Sequence, residues 1–150
     1  VYWSLAETRF SQQRFDEALE LMKKAVELEP NFGQAQWYLA MSYKVIGNYR
    51  LALETVDNAE KAGLDWKKEP EKLREVIVIY EGMQDDEHLA SLYLLGIELA
   101  PKDARFRAGL AVAYANLGQF DKARQRAREA IQLDPGLASQ MEEFLKSLPK

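Results

Sequence analysis

The chain holds few groups able to do covalent chemistry, and they are scattered. His88 is its only histidine, with Asp85, Asp86, Glu87 and Ser91 nearby. An imidazole among carboxylates and a hydroxyl is the least from which a metal site or proton relay could be built, but such sites need groups converging from different elements. One histidine in an acidic run reads instead as part of a solvated helix face. With no cysteine there is no thiol nucleophile, thiolate zinc site or disulfide. Gly47-Asn48 and Gly118-Gln119 are isolated turn signals rather than a phosphate-cradling loop. No catalytic residue, metal or cofactor is expected, and the chain reads as a non-enzyme. Its greatest binding capacity is aromatic. Trp3 and Trp37 occupy the same point of two similar stretches, YWSLAETR and QWYLAMSY, and truncating tryptophan or tyrosine at an interface often costs about 2 kcal/mol or more.

The tryptophans recur because the chain repeats. Leu5, Ala18, Ala25 and Pro30 are followed thirty-four residues later by Leu39, Ala52, Ala59 and Leu64. After a slip of three residues the register returns as Val76, Leu89, Gly96 and Pro101, then as Leu110, Ala123, Ala130 and Pro135. Four units follow, over approximately 1–32, 33–65, 69–102 and 103–136, each with two apolar runs at helical spacing divided by a turn. Alanine or glycine at a helix crossing lets the axes approach to the short end of the usual ~8–10 Å. Leu89 takes such a place in the third unit, where looser packing is expected. A stack of hairpins must be sealed, and Leu137, Met141, Phe144, Leu145 and Leu148 form one stripe of a capping helix over 137–148. In the inserted link, Gly63 reads as a helix stop, Asp65 as a possible cap and Pro70 as a first-turn residue. Trp66 there either plugs the gap or stands exposed; burial gains an isolated indole more.

Composition sets outer limits. The chain has 150 residues, 47% hydrophobic and 29% charged, ordinary for one soluble globular domain spanning 1–150. A net charge of -4 argues against nucleic acid as partner. The longest uncharged apolar stretch, AGLAVAYANLG at 108–118, falls short of the ~20 residues that span a bilayer. Val1 begins inside a first helix with no signal-peptide pattern, so a piece of a longer chain is expected. Residues 101–128 are basic (Lys102, Arg105, Arg107, Lys122, Arg124, Arg126, Arg128) and 81–87 acidic. Self-association through that gradient is one option, and a solvated outer face is the simpler one.

The period, the paired helices and the small residues resemble the tetratricopeptide repeat. The fourth unit carries its pattern best through Leu110, Ala111, Tyr114, Gly118, Phe120, Ala123, Ala127, Ala130 and Pro135. The resemblance implies an all-α, right-handed α-solenoid of four hairpins plus the capping helix, acting as a non-catalytic protein or peptide interaction module. The family's tryptophan site holds Tyr2, Gln36, Leu73 and Arg107 here. Trp3 and Trp37 sit one residue later, about 100° round the helix, on the face that in this family lines a concave groove. That stripe comprises Trp3, Glu7 and Phe10; Trp37, Tyr38, Met41, Lys44 and Val45; Glu71, Arg74, Glu75 and Val78; and Arg105, Ala108, Gly109, Val112, Ala115 and Asn116. Trp3 and Trp37 either face this groove or stack in the seam between neighbouring helices. Where some family members grip chaperone carboxylates with basic residues and asparagine, this chain has Trp3, Glu7, Tyr38, Glu71 and Glu75, which argues against that mode. The link and the EEFLKSL ending also resemble repeat tails of bacterial O-antigen polymerase- and ligase-type membrane proteins. That likeness implies an accessory extension of a larger membrane-associated chain, outside the inner membrane, against a cytoplasmic default.

Overall fold

The computed structural model describes residues 1–149, and among them it shows nine α-helices and no strand. These are α1 (Tyr2–Ser11), α2 (Phe15–Leu28), α3 (Gly33–Val45), α4 (Tyr49–Lys61), α5 (Pro70–Met83), α6 (Asp86–Leu99), α7 (Ala104–Asn116), α8 (Phe120–Leu133) and α9 (Ala138–Ser147). Short 3-10 turns at Trp66–Lys68 and Pro135–Leu137 interrupt the links. The chain groups into two compact units, Val1–Trp66 and the residues from Lys67 onward. The first contains the hairpins α1–α2 and α3–α4, the second α5–α6, α7–α8 and the terminal α9. This is the all-α repeat architecture expected.

The small residues of the repeat lie where they are needed. Ala18, Ala52, Ala59, Ala123 and Ala130 have no exposed surface, so each lets its hairpin partner approach closely. In the first unit Ala6, Leu19, Met22 and Leu39 form a core cluster. In the second, Ala111, Ala127, Ala130 and Met141 form another, against which Leu137, Phe144 and Leu145 pack. That cluster is the seal provided by α9. The α5–α6 hairpin is the most loosely packed of the four, which follows from Leu89 at a small-residue site.

One backbone device closes every hairpin. Gln13, Gly47, Gln84 and Gly118 all have positive φ, at 60°, 77°, 56° and 73°. After each, an amide donates back across the helix end: Arg14 to the Arg9 carbonyl at 2.9 Å, Asn48 to Tyr43 at 2.9 Å, Asp85 to Tyr80 at 3.2 Å and Gln119 to Tyr114 at 2.8 Å. This is the Schellman arrangement, which needs one left-handed residue. Glycine adopts it freely, whereas a side chain costs about 1–2 kcal/mol. The link from α4 to α5 uses the same device at Gly63, φ 91°. Glu69, not Asp65, precedes α5 as its cap residue, with Pro70 inside the first turn. Trp66 is only 5% exposed, as a plug would be. Gln84→Gly is expected to raise stability by about 0.5–1 kcal/mol, the left-handed cost less the added unfolded-chain entropy of glycine, and Gly118→Gln to lower it; urea unfolding of both variants checks the signs.

Candidate functional site

The first unit answers the question of the indoles. Trp37 and Met41 are 5% and 7% exposed: both belong to the interior and neither offers a surface, so their placement on a groove is corrected. Phe10 stacks edge-on against Phe15 at 5.2 Å and so serves its own hairpin turn. Trp3 is half-buried, with its ring 5.3 Å from Tyr38 in T-shaped contact and 6.2 Å from Phe32, and its indole N–H is enclosed without an acceptor. An unsatisfied buried donor costs about 1–3 kcal/mol, which the aromatic contacts must offset. Trp3 and Tyr38 thus form a seam between α1 and α3, leaving Glu7 exposed and Lys44 half-buried. At the family's tryptophan site, Gln36 is buried and donates to the Pro30 carbonyl at 3.1 Å. Arg107 repeats this toward Pro101 at 2.6 Å.

In the second unit, α6 and α7 meet through two reciprocal contacts. The Phe106 ring of α7 lies against Gly96 of α6, where an added Cβ would come within 2.4 Å of it. The Tyr93 ring of α6 lies against Gly109 of α7, where an added Cβ would come within 2.3 Å. Each ring then carries a charged group. The Arg74 guanidinium sits 5.3 Å over the Phe106 ring, a favourable cation–π placement. The buried Tyr93 hydroxyl donates to the Glu81 carboxylate at 2.6 Å. Burial, and then this bond to an anion, push the Tyr93 phenol well above its ordinary pKa, so it stays a donor.

Asp103 ties α5 to the start of α7. It accepts from Arg105 Nε at 3.0 Å and Nη2 at 2.9 Å, from Arg74 Nη2 at 2.7 Å, and from the Arg105 backbone N–H at 3.1 Å. The Arg105 side chain foremost, then that of Arg74, hold the Asp103 carboxyl well below the usual carboxylate range. With the folded pKa depressed, its contribution to stability is complete above pH ~4 and is lost as acid protonates it.

These groups surround an open groove of about 350 Å³ between α5, α7 and α9. Of the residues expected to bind, Arg74, Val78, Arg105 and Val112 line it together, with Ala108 and Gly109. Val78 and Val112 are 43% and 42% exposed. Sequence reasoning missed Tyr93, Phe106, Glu81 and the wall supplied by Leu137, Gln140 and Met141. A stripe of first-helix residues could not show that a tyrosine from a second helix reaches through a glycine. A recess lined by Glu81, Gln84, Asp86, Val112 and Asn116 continues the groove.

The remaining polar groups are accounted for locally. His88 is exposed; its backbone N–H donates to Asp85 Oδ1 at 3.2 Å, its Nδ1 lies 2.7 Å from Asp85 Oδ2, and its ring stacks on Tyr80. No group of acidic or histidine side chains among the described residues could hold a metal ion. Much of the basic run is paired internally, Arg124 with Asp121 and both Arg107 and Arg126 with Glu129. No helix among the described residues is long and apolar enough to cross a membrane.

Two regions, residues 9–74 and 104–137, match family descriptions of the tetratricopeptide repeat. No curated protein sequence matches the chain. Among solved structures, a crystal structure of MamA superposes with TM-score 0.75 at 19% identity, over 92% of this chain and 79% of that one. MamA from residue 41 to the end, from Desulfovibrio magneticus RS-1, gives 0.76 at 19% identity over 89% and 74%. YrrB, described as a TPR protein with an unusual peptide-binding site, gives 0.78 at 22% identity over 92% and 70%. At these identities the likeness establishes the fold.

The burial of Trp37 carries a consequence for stability. Trp37→Ala is expected to cost about 3–5 kcal/mol by emptying an enclosed volume, read as a fall in the urea midpoint; an unchanged midpoint would return that ring to the surface.

Proposed function

The chain belongs to the tetratricopeptide repeat family, and from that premise we propose that it binds a peptide segment of a partner protein in the groove between α5, α7 and α9. Its repeats make it a protein–protein interaction module. The observation that carries the choice of site is the groove itself: apolar walls at Val78 and Val112 with a few fixed polar groups, the composition of sites that hold small ligands and peptide side chains. Burying one leucine-sized side chain there would contribute about 1.5–3 kcal/mol, and the charged groups would orient it. The description of YrrB as having a peptide-binding site supports the same use of the fold.

The reading is non-catalytic: no histidine, serine or threonine stands among the residues lining the groove. It moves the binding surface from the aromatic first unit to the second. The mixed charge of the groove and the net charge of -4 offer no phosphate backbone a landing.

A second reading keeps one specific support. Tyr2, Leu5 and Leu28 are exposed apolar residues at the α1–α2 end of the first unit, a face that a further hairpin would cover, as in an accessory extension of a larger membrane-associated chain.

Peptides selected from a displayed random library against the native chain should lose binding to Val112→Glu, whose effect on stability should stay within ~0.5 kcal/mol for a surface site. Equal capture by the variant, by anisotropy of the labelled peptides, would overturn the groove assignment.

A further inference from the structure

The groove is electrically two-ended, and this property names the chemistry of its occupant. At one end stand Arg74 and Arg105, paired with Glu71 and Asp103, so this end offers guanidinium N–H donors to a carboxylate rather than an uncompensated positive charge. Arg74 is clamped between the Phe106 ring and Asp103. Arg105 keeps 70% of its side chain exposed while holding Asp103. At the other end stand Glu81 and Asp86. Their donors there are neutral, the Tyr93 hydroxyl at 2.6 Å and the Asn116 amide at 2.9 Å, so neither bond cancels the negative charge. Val78 and Val112 lie between the two ends.

We propose, resting on the groove reading above, that the occupant is an extended peptide bearing one acidic and one basic residue on either side of an apolar one, the three at alternate positions. The spacing follows from the helix. Arg74 and Glu81 are seven residues apart on α5, about 10.5 Å along its axis. An extended chain rises about 3.3 Å per residue and points alternate side chains the same way. Positions i and i+4 are thus ~13 Å apart, a span that flexible glutamate and lysine side chains bring onto the two ends, with i+2 seated between the valines. Donors at one end and carboxylates at the other also disfavour peptides of uniform sign: a second acidic residue would meet Glu81 and Asp86, and a second basic residue would find guanidinium groups in place of an acceptor.

The test uses four labelled peptides, Glu-Ser-Leu-Ser-Lys, Glu-Ser-Leu-Ser-Glu, Lys-Ser-Leu-Ser-Lys and Glu-Ser-Ser-Ser-Lys, each flanked by glycines, titrated with the native chain in low salt and followed by anisotropy. The mixed-charge leucine peptide should bind at least tenfold more tightly than the other three. Glu81→Lys should transfer the preference to the doubly acidic peptide, and Arg105→Glu to the doubly basic one, with circular dichroism confirming that each variant is folded. Preferences that fail to switch, or absence of binding by the mixed peptide, overturn the proposal. If all leucine peptides bind alike and Val112→Glu abolishes them, the groove stands and the charge rule falls. If Val112→Glu leaves their binding intact, both fall.

Discussion

The second unit depends on two rings pressed onto two glycines. Phe106 on Gly96 and Tyr93 on Gly109 set how closely α6 and α7 approach, and the same rings position Arg74 and Glu81. The seam and the groove are therefore one construction. A helix interior pays about 1 kcal/mol for glycine in place of alanine. At Gly96 and Gly109 that cost is met by contacts a methyl group would forbid. Polarity at the groove wall follows from packing a layer below it: a ring that slides carries its charged partner along.

The first unit builds its seam from different side chains, and its recess of about 330 Å³ lies at the α1–α2 end, lined by Tyr2, Trp3, Leu28 and Phe32. Its indole and thioether at Trp37 and Met41 go inward, and Trp3 closes a seam with Tyr38. Repeats of one period thus differ in which side chains fill the seam. In the first unit Trp3 of α1 meets Tyr38 of α3, so that seam is aromatic on both sides. Where glycine opens α7 to Tyr93, the neighbouring groove stays free.

Much of this was legible in the sequence. The thirty-four-residue register of Ala18, Ala52, Ala123 and their relatives placed all four hairpins, and the stripe from Leu137 to Leu145 placed the seal. Helical spacing put Arg74 with Val78 and Arg105 with Val112, and the resemblance to the repeat family joined the two stripes into one face. Gly109 lies on the expected stripe, but the Tyr93 ring that packs on it comes from another helix, and no spacing rule within α7 reveals that. For the indoles the sequence left groove and seam open, since a ring turned about 100° from the hairpin contact meets a neighbouring helix as readily as solvent; Trp3 meets Tyr38 and Trp37 is buried. Left-handed turns at Gln13 and Gln84 carried no glycine to mark them, though their register with Gly47 and Gly118 does. The degenerate third repeat coincides with residues 75–103, which neither family description matches, and it supplies α6, the helix that brings Tyr93 to the groove.

The most direct measurement is the stability of Gly109→Ala in two backgrounds, native and Tyr93→Leu, by urea unfolding. In the native chain the substitution should destabilise by about 1–3 kcal/mol, the cost of overpacking against the ring, despite the better helix propensity of alanine. With the ring removed it should become neutral or stabilising, a coupling that identifies direct contact. Stabilisation by about 1 kcal/mol in both backgrounds, as on an ordinary exposed helix, would contradict the ring-on-glycine seam and the groove built upon it.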